Sequence, residues 1–222
     1  MISSSLKTRR AFLETAGLAA GALALPSSAL PSAALAQANG SVPVADLMAE
    51  GALPDMWEGS KDAPITIIEY ASMTCSHCAH FHEATYPTLK SKYIDTGKVR
   101  FTLREFPFDP VAVAGFMVAR CAGEKREAMI GLLFSQQKNW AFSDKPLQGL
   151  TALVKQTGMS QEKFDACLQD KALYTKVNEV FEKASKVFKV DSTPTFFING
   201  KKVSGALSPE ELDKQLEPLL KS

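Results

Sequence analysis

Two of the four cysteines and all three histidines of the chain lie within ten residues, in the segment MTCSHCAHFH at positions 73–82. Two residues separate Cys75 from Cys78, a spacing that suits a reversible disulfide, a metal site or a structural cross-link. The compartment in which the chain works bears on this choice, because disulfides persist in oxidising environments. The N-terminal sequence indicates that compartment.

The first 36 residues have the three parts of a cleavable export signal. In order, these are a charged start, an Ala/Gly/Leu-rich run and a small-residue cleavage site: Lys7, Arg9 and Arg10; residues 16–25; and Ala34-Leu35-Ala36. The paired arginines, followed by Phe12-Leu13, resemble a twin-arginine signal, and a general secretory signal is the alternative. We therefore predict cleavage after Ala36 and a periplasmic location, where a disulfide or redox pair is favoured over zinc.

The composition is that of an ordinary globular protein. The chain has 222 residues, of which 45% are hydrophobic, and it carries 25 basic and 24 acidic side chains. This length is enough for one well-packed domain with some elaboration. Because basic residues are not in excess, the sequence predicts no nucleic-acid partner.

The cysteines lie within a predicted βαβ unit. Its elements are, in order, a strand, a helix kinked at Pro87 and a second strand: residues 65–70, 75–92 and 98–106. Since a helix makes the crossover, the two strands are expected to be parallel and the connection right-handed. Cys75 is therefore expected at the beginning of the helix that follows the first strand.

Helical patterns fill the next eighty or so residues, and a strand pair and a helix follow. Asn199-Gly200 is predicted to form the turn of the strand pair, and Ser208 begins the last helix with a capping-box pattern. The sequence thus predicts an α/β fold of the order βαβ … ββα, interrupted by an all-helical lobe. The predicted segments are a signal peptide, an N-terminal arm, an α/β domain in two pieces and the inserted lobe: residues 1–36; 37–62; 63–108 and 189–222; and 109–188.

A thiol at a helix start has the surroundings of a nucleophile. The first helical turn offers unpaired N–H groups and the positive end of the helix dipole, which stabilise a thiolate at Cys75. Cys78, one turn further on, is expected to be the more buried resolving thiol. His77 between them can lower the pKa of Cys75 further. A stabilised thiolate favours the reduced form and makes the disulfide more oxidising.

An acidic residue is predicted on an apolar face of the strand before the cysteines. Glu69 alternates onto the same face as Ile65 and Ile67. Burying an acid on this face costs free energy, which suggests that Glu69 has a function. It could transfer the proton of the resolving thiol. An ordinary partnered acid is the alternative.

At these residues the sequence resembles the DsbA-type thiol oxidoreductases, which have a thioredoxin-like fold with a helical insertion. Cys75-Ser76-His77-Cys78 matches their Cys-Pro-His-Cys motif except at Ser76. Glu69 lies where the family carries a buried acid, and Thr193-Pro194 matches its cis-proline loop. The resemblance implies that this loop lies against the disulfide and that Ser76, Thr193 and Pro194 contact the substrate peptide.

The resemblance also implies what the protein does. It predicts an oxidoreductase that introduces disulfides into reduced exported proteins, without a cofactor other than its own disulfide. A DsbB-like membrane protein would reoxidise it and would be its only link to the membrane. Ser76 and Thr193 leave a disulfide isomerase or reductase open as the alternative.

A metal-binding protein is the alternative from another class. Cys75, Cys78 and His82 share a predicted helical face, but no second CxxC or HxxxH pattern completes a site. We therefore predict no metal ligands. His80 and His82 are expected to be packing or surface residues.

The other two cysteines lie in two different helices of the predicted lobe. In an oxidising compartment, Cys121 and Cys167 are expected to form a structural disulfide, and two buried free thiols are the alternative. Some DsbA-type proteins carry a second disulfide in this lobe, which agrees with the first interpretation.

Overall fold

The computed structural model describes residues 40–221 of the chain. The predicted export signal, residues 1–36, lies outside the described residues, so its cleavage after Ala36 stays a prediction. Within residues 40–221, no helix is both long and apolar enough to cross a bilayer.

A four-stranded mixed sheet with the order β2-β1-β3-β4 forms the centre of the fold. Its strands are β1 Ile65–Ala71, β2 Val99–Glu105, β3 Thr195–Ile198 and β4 Lys201–Ser204. β1 pairs in parallel with β2 and antiparallel with β3, and β3 pairs antiparallel with β4. The predicted parallel pairing and the order βαβ … ββα are both confirmed.

Helices cover both faces of this sheet. In chain order, the α-helices of residues 40–221 are α1 Val44–Met48, α2 Ser76–Ala84, α3 Tyr86–Leu89, α4 Pro110–Cys121, α5 Arg126–Ser135, α6 Gln137–Trp140, α7 Pro146–Lys155, α8 Gln161–Gln169, α9 Lys171–Lys186 and α10 Pro209–Leu220. Helices α4 to α9 lie between β2 and β3 in the chain and make up the predicted helical insertion. α10 begins with the predicted capping box of Ser208 and Glu211.

The predicted single helix over residues 75–92 is wrong. α2 ends at Ala84, α3 begins at Tyr86, and a π-helical turn, Lys90–Ile94, follows. The break lies before Pro87 because proline, which has no N–H to donate, fits the first turn of a new helix. Thr85, between the two helices, is fixed by donating its hydroxyl to the carbonyl of Leu207 at 2.7 Å.

The central strand is buried along its whole length, so the sheet has two apolar faces. Ile65, Ile67 and Phe196 belong to the core beneath α2, together with the buried face of the helical lobe. Ile68 and Tyr70 belong to a second core on the opposite face. The period of two therefore puts Glu69 on the α2 side, as the alternation in the sequence predicted.

The N-terminal arm covers both edges of the sheet. Near its start, Val42 N–H donates to the carbonyl of Gly200 at 2.8 Å, beside the edge strand β4. Near its end, Glu58 exchanges two backbone hydrogen bonds of 2.8 and 2.9 Å with Phe101 of the other edge strand, β2. Open strand edges invite pairing with other chains, and the arm occupies part of each of them.

Candidate active site

Cys75 lies where β1 gives way to α2. It is the N-cap residue of α2, with an extended backbone (φ −83°, ψ 118°), and its side chain is half-buried. When protonated, its thiol donates to the backbone carbonyl of Thr193 at 3.3 Å. The first turn of α2 therefore presents its free N–H groups to this sulfur.

The pKa values of the two thiols of the pair are shifted in opposite directions. The pKa of Cys75 is lowered to about 5, chiefly by a hydrogen bond from Cys78, with further donation from Thr193 and from the N–H groups of Cys78 and His77. Burial raises the pKa of Cys78 well above its ordinary value, and the nearby Glu69 and Cys75 raise it further. At neutral pH, Cys75 is thus a thiolate and Cys78 a protonated thiol, which is the difference expected between a nucleophile and a resolving thiol.

The loop before β3 forms the other wall of the site. The Thr193-Pro194 peptide bond is cis, and the Thr193 carbonyl contacts the Cys75 sulfur at 3.3 Å. The Thr193 hydroxyl is buried and has no hydrogen bond of ordinary geometry among the described residues, which leaves it available to the thiolate. The structure therefore brings Cys75, Cys78, Thr193 and Pro194 together.

The remaining residues of the CxxC motif face solvent. Ser76 and His77 are exposed on α2, and so is His80, two residues beyond the motif. His77 contributes its backbone N–H to the lowered pKa of Cys75, and its imidazole is not among the causes. A chemical role for the His77 ring stays a prediction.

Glu69 and His82 form a buried pair behind the cysteines. A hydrogen bond of 2.8 Å joins His82 Nε2 to Glu69 Oε2, and the two side chains are 6% and 0% exposed. The His82 ring lies between Tyr86 and Phe134, with centroid distances of 5.0 and 4.5 Å. His82 is therefore neither a surface residue nor simply packed: it is the partner of the buried acid.

This pairing bears on the metal alternative. One of the two ring nitrogens of His82, Nε2, is already bonded to Glu69. Across residues 40–221, no group of three or more His, Cys, Asp or Glu side chains is arranged to hold a metal ion. The geometry favours a thiol pair over a metal centre.

Two side chains of the helical lobe that were not predicted as site residues reach the active-site loop. Gln137, in α6, donates its amide to the carbonyls of Met73 and Cys75. Asp109, which caps α4, accepts a hydrogen bond of 2.6 Å from the Thr74 hydroxyl. The N-cap role of Asp109 could have been found from the following proline and helical pattern. Gln137 carries no local signal, because its partners lie more than sixty residues away.

The other cysteine pair lies within the helical lobe. Cys121 at the end of α4 and Cys167 in α8 are joined by a disulfide with a Cα–Cα distance of 6.2 Å. The bond links two helices through cysteines that are 46 residues apart in the chain, and it lies outside the Cys75 site.

Comparison with known proteins assigns the chain to a family. A family model described as thioredoxin matches residues 52–218. The chain belongs to the thioredoxin family. Among solved structures, this thioredoxin-family chain is similar to alpha-DsbA1 of Wolbachia pipientis, with a TM-score of 0.74 and 29% identity, over 79% of this chain and 95% of that one. A protein-disulfide isomerase from Novosphingobium aromaticivorans, 21% identical with a TM-score of 0.68 over 76% of this chain and 98% of that one, shows the fold alone.

Sequence relatives point the same way. A Rickettsia bellii protein, whose name assigns it provisionally as a protein-disulfide oxidoreductase, is 35% identical over 148 residues, or 66% of this chain. The chain spans 57% of that protein's length. The family match and these similarities confirm the predicted DsbA-type resemblance and the thioredoxin-like fold with its helical insertion.

The pKa of Cys75 predicts how its alkylation depends on pH. In the reduced protein, we expect alkylation of Cys75 by iodoacetamide to be half-maximal near pH 5 and to be lost below it, because only the thiolate reacts. Cys78 should stay unmodified at neutral pH. Mass spectrometry of peptides after timed alkylation measures both residues. The same protein in urea is the reference, because an unperturbed thiol has a pKa of ~8.5. Equal reactivity of the two cysteines in the folded protein would contradict the assignment.

The second disulfide is expected to stabilise the lobe without taking part in the chemistry. Replacing both Cys121 and Cys167 by serine should lower the free energy of unfolding by roughly 4 kcal/mol, since the bond closes a long loop. Urea denaturation of the oxidised protein measures this loss. The pH profile of Cys75 alkylation is the control and should not change. A changed profile at undiminished stability would make the second pair redox-active instead.

Proposed function

We propose that this chain is an exported thiol–disulfide oxidoreductase that introduces disulfides into reduced proteins of the periplasm. One observation carries the proposal: two thiols, one with a lowered and one with a raised pKa, lie one helical turn apart beside a cis-proline loop. The similarity to Wolbachia alpha-DsbA1 and to the Rickettsia bellii relative supports it. Location in the periplasm rests on the predicted signal of residues 1–36.

The reaction begins with the Cys75–Cys78 disulfide. A substrate thiolate attacks the half-buried sulfur of Cys75, a substrate–Cys75 bond forms, and Cys78 leaves with the electron pair. Because Cys78 has a raised pKa, it takes up a proton on leaving. A second substrate thiolate then attacks the substrate sulfur and expels Cys75 as a thiolate. The substrate gains a disulfide, and the two electrons remain on the cysteine pair.

The stabilised thiolate of Cys75 explains why the pair would donate its disulfide to the substrate. Donors from Thr193 and from the first turn of α2 stabilise the reduced state of Cys75 and not its disulfide. A stabilised thiolate is also a good leaving group in the second step. The same stabilisation gives a pair that transfers its disulfide readily. A DsbB-like membrane protein would then restore the disulfide.

Thr193 and Pro194 are proposed to hold the substrate. The backbone carbonyl of Thr193 in this loop contacts the Cys75 sulfur. A substrate peptide bound beside the loop would place its own cysteine next to that sulfur. Ser76 is exposed at the same end of α2 and would contact the peptide from the other side.

Glu69 is proposed to exchange the proton of Cys78. It lies close enough to raise the pKa of that thiol. One of its oxygens is bonded to His82, and the other, Oε1, is buried without a hydrogen-bond partner among the described residues. The unpartnered oxygen is therefore available to the thiol, while His82 fixes the carboxyl in place.

Replacing Glu69 tests this step. Glu69→Gln keeps the size and the hydrogen bonding of the side chain but cannot carry the proton, so we expect the first step, in which Cys78 leaves and is protonated, to slow by about 100-fold. Stopped-flow reduction of the oxidised protein by a small dithiol measures this rate. Glu83→Gln, which removes an exposed acid from α2, the helix of the two cysteines, is the matched control and should react like the wild type. An unaffected rate in Glu69→Gln would leave the acid without this role.

The proposed function itself is tested by two assays of the purified protein. Oxidation of a reduced, unfolded protein should be catalysed in the presence of an oxidant, and Cys75→Ser should abolish it. Cys78→Ser, mixed with a substrate that carries a disulfide, should accumulate a mixed disulfide: the Cys75 thiolate attacks one substrate sulfur, the other substrate sulfur leaves as a thiolate, and no Cys78 thiol is left to release the substrate.

The second assay separates the oxidase from its alternative. Ser76 and the Thr193 hydroxyl leave isomerase activity open, so refolding of a scrambled disulfide protein is measured beside the equilibrium of the pair with glutathione. A strongly oxidising pair with little isomerase activity supports the proposal. Efficient unscrambling together with a weakly oxidising pair would make the chain an isomerase.

A further inference from the structure

The active-site loop is held by a buried amide of the helical lobe. Gln137 is 4% exposed, and its Nε2 donates to the carbonyl of Met73 at 2.9 Å and to that of Cys75 at 3.0 Å. Both N–H groups of one amide are thus directed at the two carbonyls that flank the Thr74–Cys75 segment. A surface glutamine would not be fixed in this way, because water would compete for its hydrogen bonds.

The short helix that carries Gln137 is itself firmly anchored. Trp140, three residues on, is completely buried and donates its Nε1–H to the carbonyl of Leu133 at 2.8 Å. α4 also approaches the loop closely at Gly115, where an added Cβ would lie 2.9 Å from the Trp140 ring and 3.1 Å from the Met73 side chain. The amide of Gln137 therefore has a rigid base.

The orientation of the Cys75 carbonyl matters for the chemistry of the sulfur. This carbonyl also accepts the first hydrogen bond of α2, from Ala79 N–H at 3.1 Å. The N–H groups of His77 and Cys78 that favour the thiolate belong to the same turn. They are directed at the sulfur only while the backbone of Cys75 keeps its extended geometry at the N-cap.

A second contact from the lobe holds the residue between the two carbonyls. The Thr74 hydroxyl donates to Asp109 Oδ2 at 2.6 Å, and Asp109 Oδ1 accepts from Ala112 N–H at 2.8 Å. This contact fixes the side chain of Thr74 and leaves the two neighbouring carbonyls to Gln137.

We propose that Gln137 is a positioning residue for the redox pair: its amide holds the backbone of Cys75 so that the first turn of α2 stays aligned with the sulfur. The inference rests on the proposed redox role of Cys75 and Cys78. It makes the inserted lobe a part of the catalytic apparatus, acting through the backbone and without touching the reacting sulfur.

The test replaces the amide without changing its volume much. In Gln137→Met, we expect the pKa of Cys75 to rise from about 5 to roughly 6. The equilibrium of the pair with glutathione should shift about tenfold toward the protein disulfide, because the reduced form loses that stabilisation. The absorbance of the thiolate at pH values from 3 to 9 gives the pKa, and alkylation-trapped mixtures give the equilibrium.

The matched control is the neighbouring residue. Gln136 is partly exposed, and its side chain accepts from Asn139 Nδ2 at 2.7 Å instead of reaching the loop. Gln136→Met should leave the pKa and the glutathione equilibrium as in the wild type. Thermal unfolding of each variant separates an effect on the site from a general loss of stability.

The outcomes distinguish positioning from structural support. An unchanged pKa and equilibrium in folded Gln137→Met overturns the proposal, however far the unfolding temperature falls. If that variant does not fold, Gln137→Asn replaces it. Its amide is retained but withdrawn by one methylene, and position 137 borders a solvent-open groove that also contains Ser76. An intermediate rise in pKa supports the proposal, and failure of both variants to fold overturns it.

These readouts do not depend on the proposed direction of the reaction. A wild-type protein that oxidises no substrate would refute the proposed function, and the effect of Gln137 on the pKa and on the glutathione equilibrium could still be measured.

Discussion

A charged sulfur at position 75 is stable only where hydrogen-bond donors converge on it, and the fold supplies them from two directions. The first turn of α2 provides the N–H groups of His77 and Cys78, and the loop before β3 provides the Thr193 side chain. The strongest donor is the thiol of Cys78, one turn into the same helix. The parallel pairing of β1 with β2 and the antiparallel pairing of β1 with β3 bring the helix start and this loop together.

The second thiol has the opposite environment, only one helical turn away. Cys78 is completely buried in the core beneath α2, and the nearest acid raises its pKa instead of stabilising its thiolate. The acid is held by His82, whose ring is stacked between two aromatic rings. A single helix thus separates a charged, half-exposed sulfur from a neutral, buried one, since its N-terminus is polar and its inner face is apolar. This difference is the physical basis of the proposed roles of Cys75 as nucleophile and Cys78 as resolving thiol.

The helical insertion does more than cover the sheet. Gln137 and Asp109 reach from it to the three residues that end at Cys75. Elsewhere the lobe is tied to β2 by Glu105, whose carboxylate is bonded to Arg120 at 2.7 Å and to Arg126 at 3.1 Å. A displacement of the lobe would break these hydrogen bonds and leave largely buried polar groups unpaired. It would also shift the backbone at Cys75.

Much of this protein follows from local sequence. The strands and most helices form from short-range patterns, the Asn199-Gly200 turn has both residues at positive φ, and Ser208 caps α10 as its spacing requires. The helix break at Thr85 was missed because Pro87 fits the first turn of a new helix as well as a kink in a continuing one.

Local sequence patterns are enough to predict that Cys75 begins a helix, and that Glu69 lies on the same strand face as Ile65 and Ile67. These are consequences of helix capping and of the two-residue period of a strand, which act over a few residues. The pairing of His82 with Glu69, and the bonds from Gln137 to a loop more than sixty residues away in the chain, are visible only in the folded structure. No local pattern encodes such contacts, because they exist only once separate elements pack against one another.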